Sequence, residues 1–426
     1  MNEENKNIKS GNNPIIIGGG PSGLIMGAFL RYKNSCKDYK IFNKDNHNFK
    51  DEELYGIKFS KGQRTLFDDG WIKFFAEHIL GVPPMGVVDL SHLMSIRFKG
   101  RFYSYPIQFA KDLPLMMKLR MYWDYIWRDK KLLKNNNYAN YVEGTYGKFL
   151  ARNIILPHTW KTMKEDLWMV DPTGYGKKVI PLKLFGKNKP VNKILDDDAK
   201  SFFQYLRSLS ENYIFNRAVQ EIRIQNKTII ADNTPHNYDR LFSTMPLPFM
   251  LDLINDKPPI VDAAHKSLCY NDMLAVTLIV PINFIKVNKE IIYFPERDFI
   301  FSKVNIVRND KYAAITSEIS FRMNERKKLE CSAFIEKIYN RVENDLKHSD
   351  IIPHNLFTSM EYRNYTISPA YIICDHETEM YNNIIQSWLE QNDIFTIGRF
   401  AQWKPEMRIE HSIMRAKQLM EKFYGL

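Results

Sequence analysis

The sequence predicts an α/β fold in which a parallel-sheet domain is interrupted by a mainly helical segment and an antiparallel sheet. Three observations carry this. Near the N-terminus, the apolar run Ile15-Ile16-Ile17 passes through Gly18-Gly19-Gly20-Pro21-Ser22-Gly23 into the helix-compatible stretch from Leu24 to Leu30. In the middle, strand-rich sequence occupies Asn271 to Val280 and Ile291 to Val304. Near the far end, Ile394 to Ile397 runs into Gly398-Arg399, a second strand entering a glycine turn. The chain therefore returns to its first domain, and what lies between is inserted.

The first segment is the most informative. Three β-branched residues in a row suit a strand buried on both faces. Gly18, Gly20 and Gly23 then fill the places of G-x-G-x-x-G, and Gly27 allows close helix–strand packing. Such a turn lets a dinucleotide pyrophosphate approach bare backbone, while the new helix directs N–H groups and its positive dipole end at the anion. The strand–turn–helix context makes the motif far stronger than a lone match. Tyr39 to Phe42 reads as the second strand, and the position of the acid that bonds ribose hydroxyls in such folds falls on Asn43, with Asp45 two residues on. Asparagine still offers a hydrogen bond to a ribose.

The remaining elements follow in order. Trp71 to His78 suits a helix, Ser95 to Phe98 a strand, and Lys99-Gly100 a hairpin turn into Arg101 to Pro106. From Leu113 to about Asn153 the pattern is helical and aromatic. Met116, Leu119, Tyr122, Trp123, Ile126 and Trp127 recur at three- and four-residue spacing, which predicts a buried helix face rather than a cofactor contact. Leu182 to Leu209 reads as a loop and a short helix. Ala218 to Ile224 and Thr228 to Ala231 read as strands, Glu330 to Leu346 as an amphipathic helix, and about Arg408 to Phe423 as the last helix. The expected division is 1–105, 211–255 and 376–426 for the parallel-sheet domain, 106–210 for the helical insertion and 256–375 for the antiparallel sheet.

Composition bounds the function. The 426 residues are 44% hydrophobic and 13% aromatic, which describes a globular chain with a sizeable core. The net charge of +11 is scattered, without a block of like charges or a nucleic-acid-binding motif, so no nucleic-acid partner is expected. Cys36, Cys269, Cys331 and Cys374 lie far apart with no C-x-x-C spacing, which fits reduced thiols in a cytoplasmic protein and no metal site. The polar start of the chain is not a signal peptide, and no apolar run approaches a membrane span.

Taken together, these landmarks resemble the flavin-dependent UDP-galactopyranose mutase family and its wider protoporphyrinogen oxidase and amine oxidase group. The matching stretches run nearly end to end. They are Gly18 to Gly23, Phe98 to Pro106, Phe215 to Val219, Ser243-Thr244-Met245-Pro246-Leu247, Ile292-Tyr293-Phe294-Pro295, and Ile397-Gly398-Arg399-Phe400 through Met407. The resemblance implies an FAD-binding Rossmann-type domain, with the antiparallel sheet roofing the flavin. It places Gly18, Gly20, Ser22 and Gly23 at the FAD pyrophosphate, Val219 at the adenine, and Gly398 and Arg399 on the pyrophosphate from the other side. Met407 would place its backbone N–H by the flavin pyrimidine ring. Asn43 stands where the family has glutamate, and Gln63 of Gly62-Gln63-Arg64 stands where it has a flavin-side histidine. Lys178 and Lys303 stand for two substrate-gripping arginines, keeping the charge and losing the bidentate fork. Trp160 or Tyr371 would pack on the substrate base or ribose; Trp160 suits a helix core equally well.

The implied activity is pyranose–furanose interconversion of a small-molecule nucleotide-sugar substrate through reduced flavin N5. Two alternatives stay open: an FAD-dependent oxidoreductase of the amine oxidase kind, and a non-catalytic member that keeps the fold. A homo-oligomer is equally left open.

Overall fold

The computed structural model describes residues 13–32, 35–36, 38–44, 52–59, 66–67, 70–83, 87–89, 91–135, 137–172, 192–194, 196–355 and 361–425. Gln63 and Lys178 lie outside these residues. The architecture is α/β. Five parallel strands form one sheet in the order Ile214–Phe215, Lys40–Phe42, Ile15–Ile17, Leu241–Ser243 and Ile394–Thr396. Strands from both ends of the chain thus share one sheet. Side chains alternate across it. Ile16 packs into a cluster with Leu24, Phe29, Phe395 and Ile413, from the strands and the flanking helices Pro21–Arg31 and Ile409–Tyr424. Ile15 and Ile17 face a second cluster with Ile222, Met250 and Leu389. Burial on both faces is why Ile15–Ile17 reads as an unbroken apolar run.

The second large sheet has seven strands, in the order Glu361–Ile373, Cys269–Pro281, Tyr312–Arg322, Lys303–Arg308, Ile291–Tyr293, Met94–Phe98 and Arg101–Ser104. It is mostly antiparallel; Ile291–Tyr293 and Met94–Phe98 run parallel. The hairpin at Lys99-Gly100 has φ of 51° and 77°, the paired left-handed geometry of a two-residue turn. This hairpin falls within the 1–105 segment, yet it extends the seven-stranded sheet rather than the parallel one. One face of that sheet is apolar: Leu274, Val276, Leu278, Ile292, Val304 and Ile306 pack with Ile335 and Val342 of the helix Ser332–His348. The opposite face carries buried polar groups, among them Thr277, Asn305, Thr316 and Glu318. These groups bond one another, Thr277 with Thr316 and Asn305 with Glu318, as buried polar side chains require.

One expectation is overturned. The helix Leu115–Ile126 does not bury the stripe of Met116, Leu119, Trp123, Ile126 and Trp127; all five are exposed, Met116 to 76%. The core contact runs instead through Met121, buried, with Met117, Tyr122 and Tyr125 partly buried against the main cluster. This helix has two apolar sides, and periodicity alone does not tell which one the core takes.

Candidate functional site

The floor of the site is the glycine loop, and its glycines have different reasons to be there. Gly18 has a φ of 102°, which disfavours any other residue, and a Cβ there would overlap the Thr244 hydroxyl. That hydroxyl donates to the carbonyls of Ile17 and Gly18, at 3.0 and 3.2 Å, tying the loop to the next strand. A Cβ on Gly23 would overlap the Gly18 carbonyl oxygen. Gly20 differs: a Cβ there meets nothing within 4 Å, so this residue faces open space. It caps the helix Pro21–Arg31, which has no side-chain cap and no acidic residue in its first turn. A helix start without a side-chain cap or a first-turn acid suits an anion.

Asn43 ends the second strand and is buried, and its Oδ1 accepts from the Gly19 N–H at 3.1 Å. The asparagine holds the loop from the side at which the ribose is expected. Val219 begins the strand Val219–Arg223, at an irregularity in the pairing with Thr228–Ala231.

The second glycine turn meets the first. A Cβ on Gly398, whose φ is 100°, would lie 2.6 Å from Ser22 Oγ, and Ser22 shares a hydrogen bond of 2.9 Å with Ser412 of the last helix. Arg399 Nε donates to the Met407 carbonyl at 2.6 Å, so two predicted cofactor contacts are joined to each other. The Met407 N–H donates to Lys404 O at 3.1 Å, a bond within its own turn. These features together fit a dinucleotide: an uncapped helix start, an open Gly20, and an arginine anchored beside the same turn.

The roof brings together residues far apart in the chain. In the sheet register Tyr293 lies opposite Lys303, and Lys303 opposite Glu318. The period of two puts all three on the polar face. Lys303 Nζ pairs with Glu318 Oε1 at 2.7 Å, and Asn305 Nδ2 donates to the same oxygen at 2.9 Å. Tyr371 belongs to this group. Burial, and after it the Glu318 carboxylate, pushes its hydroxyl well above the usual phenol range, while Lys303 and Arg399 act in the opposite direction.

Three members were not singled out from the sequence. Tyr105 and Tyr293 stack with ring centroids 4.9 Å apart, and His158 meets Tyr293 edge-on at 5.6 Å. Burial, aided by the charges of Lys161 and Lys303, pushes the His158 imidazole down to about 4. It is neutral near pH 7, and its Nε2 has no hydrogen-bond partner among the described residues. A buried nitrogen in that state is a ready contact for a ligand group. No local pattern marks His158; only its neighbours do.

Trp160 stands apart from this group. It sits on the outward side of the helix Leu156–Met163, against Lys164 and Arg297 at 5.1 and 5.0 Å from its ring. It lines a surface hollow with Lys164, Arg322, Asn324, Glu325 and Lys328. Among the described residues no cluster of His, Cys, Asp and Glu could hold a metal, and no helix is long and apolar enough to cross a membrane.

No protein-family model matches the chain, and no curated protein matches it by sequence. Solved structures do match over nearly the full length. Reduced UDP-galactopyranose mutase is similar at a TM-score of 0.79 and 17% identity, covering 97% of this chain and 94% of that one. A putrescine oxidase double mutant redesigned in cofactor binding matches at a TM-score of 0.67 and 11% identity, covering 97% and 99%. A conjugated-linoleic-acid-producing fatty acid isomerase from P. acnes matches at 0.67 and 15%, covering 98% and 99%. Over 97% of its length the chain shares the fold of UDP-galactopyranose mutase and putrescine oxidase.

Proposed function

We propose that this protein is an FAD-dependent enzyme of the mutase kind, interconverting ring forms of a nucleoside-diphosphate sugar. The observation that carries the reading is the meeting of two halves. The open glycine loop and Arg399 suit the dinucleotide, and above them the Tyr293–Lys303–Glu318 row with Tyr371 offers polar contacts to a sugar and its phosphates. Whole-chain likeness to the mutase fold supports it.

The flavin, when bound, supplies the nucleophilic or redox centre. The chain supplies the rest. Gly18, Gly20, Ser22 and Gly23 would hold the pyrophosphate, with Asn43 and Val219 toward ribose and adenine. Arg399, fixed by the Met407 carbonyl, would close on the phosphates. Lys303 would turn from Glu318 toward the substrate diphosphate, leaving Glu318 to Asn305. Lys178 would add a second charge, and Tyr371 a hydroxyl that stays protonated. Neutral His158 would accept or donate one hydrogen bond to the sugar.

The Lys303–Glu318 pair also favours a second reading. Its charge is already balanced, so Lys303 is committed to Glu318 and less free for a diphosphate, which suits a phosphate-free substrate of an amine-oxidase-type oxidoreductase better than a dianion. One experiment separates the two. The purified protein is examined for a flavin spectrum, then incubated with UDP-sugars with and without dithionite while oxygen uptake is followed. Sugar isomerisation that requires reduction and consumes no oxygen supports the mutase. Oxygen uptake with bleaching of oxidised flavin supports the oxidoreductase, and a colourless protein that takes up no FAD removes both.

A further inference from the structure

The exposed stripe on the helix Leu115–Ile126 plays no part in the proposed flavin site. Each residue turns an α-helix by about 100°. On that basis Leu115, Met116, Leu119, Trp123 and Ile126 fall within roughly 100° of arc, opposite the side that buries Met121. Trp127, the C-terminal cap, continues the stripe, with its ring 5.8 Å from that of Trp123. Trp123 is 61% exposed and Trp127 70%, and Leu133, in the separate segment Lys130–Lys134, is exposed as well. Soluble chains rarely leave two neighbouring tryptophans and four aliphatic residues on one open face without a partner.

The border of the stripe is basic. Between Lys111 and Lys134 the chain has seven lysines and arginines against three aspartates. Lys118 and Arg120 flank the stripe on its two sides, and Lys130, Lys131 and Lys134 follow it, exposed, in the 3-10 turn Lys130–Lys134. Two of the three acids are engaged locally, and Asp112 stands exposed before the helix. Asp124 is largely covered and pairs with Arg120 at 3.1 Å, and Asp129 accepts from the Lys131 N–H at 2.9 Å.

We infer that this face docks the protein onto an anionic bilayer surface. The helix would lie in the plane of the headgroups, with Trp123 and Trp127 at the acyl boundary and the lysines among lipid phosphates. Amphipathic interfacial helices combine these features, with a tryptophan-bearing apolar side and a basic border. The same charge argues against a second copy of the chain as occupant. A two-fold contact through this face would bring two basic borders together. The inference stands apart from the proposed activity, since none of these residues belongs to the flavin site.

The test is flotation of the full-length protein with vesicles of phosphatidylcholine alone and of phosphatidylcholine mixed with phosphatidylserine. Binding is expected to the mixed vesicles, roughly tenfold tighter than to phosphatidylcholine and weakened by salt. Trp123→Ser combined with Trp127→Ser is expected to lower binding about tenfold or more, with thermal unfolding and flavin content unchanged because both residues are exposed. Lys130→Glu with Lys131→Glu is expected to do the same for mixed vesicles only. No binding to mixed vesicles, or binding indifferent to both double variants, overturns the inference. So does a dimer in sedimentation that the tryptophan variant converts to monomer while neither form floats.

Discussion

The floor and the roof of the site are built by different means. From Gly18 to Gly23 the glycine pattern follows backbone geometry: a left-handed φ at Gly18, a Gly23 whose side chain would strike the Gly18 carbonyl, and a Gly20 that faces open space, with Thr244 and Asn43 tying the loop from outside. In the roof, Tyr293, Lys303, Glu318 and Tyr371 come from four strands of one sheet, and His158 from a helix of the inserted segment. A loop shaped mainly by backbone geometry shows its pattern within ten residues of sequence, even where distant side chains such as Thr244 and Asn43 brace it. A cluster held by strand register is specified only once the sheet exists. The two regions should accordingly fail in different ways.

The largest effect separates two glycines of the floor. Gly23→Ala drives a Cβ into the Gly18 carbonyl and should cost on the order of 3 kcal/mol or more, read as a lowered denaturation midpoint. Gly20→Val has room for its side chain and should stay within about 1 kcal/mol of the parent, while flavin content falls to background. Equal stability in both variants would break the distinction between a packing glycine and a ligand-facing one.

The roof gives the next effect through a buried amine. Lys161 donates to the carbonyls of Phe294 and Phe301, both at 2.9 Å, and burial brings it from an ordinary 10.5 down to about 7. Between those two values the unfolded chain binds more protons than the folded one. Stability should therefore rise as pH climbs from about 7 toward 10.5, by at most about 1.4 kcal/mol per pH unit. Lys161→Met should flatten that rise in a series of melting curves. A parent protein that melts at one temperature across the window would show the amine to be better solvated than its surroundings indicate.

Lys303 tests the charge of the roof at the next scale down. Lys303→Ala should weaken nucleotide-sugar binding by roughly 1.5–3 kcal/mol, the range for hydrogen bonds to charged groups, and Lys303→Arg should restore most of it. Calorimetry with flavin content as control decides this. Undiminished affinity in the alanine variant would leave Lys303 as the partner of Glu318 and nothing more.

What the sequence made legible follows the same division. The parallel sheet, a helix over Leu24 to Leu30 (observed from Pro21 to Arg31), the hairpin at Lys99-Gly100 and the return at Ile394 all rest on local signals, and each is present. His158 carried no local signal, because its significance lies in Ser302, Lys303 and Tyr293 lying against it. The stripe at Met116 to Trp127 was legible as apolar but not as exposed. The helix buries Met121 instead, with Met117 and Tyr125 partly buried beside it, and a sequence with two apolar sides leaves the choice to tertiary packing.

The smallest effect returns to the floor, at the one position where side chain and backbone both matter. Asn43 Oδ1 accepts from the Gly19 N–H, and an aspartate at that position keeps the acceptor while adding a charge. Asn43→Asp should thus leave the loop intact, with stability changed by less than about 1 kcal/mol. Hydrogen bonds to a carboxylate are roughly twice as strong as neutral ones, so ribose hydroxyls brought to this side chain should be held a few-fold more tightly. Fluorescence titration of flavin-depleted protein with FAD measures the change directly. A loss of affinity would mean that the asparagine contributes through its amide donors, and that the floor, like the roof, depends on a side chain whose partners lie beyond its own segment.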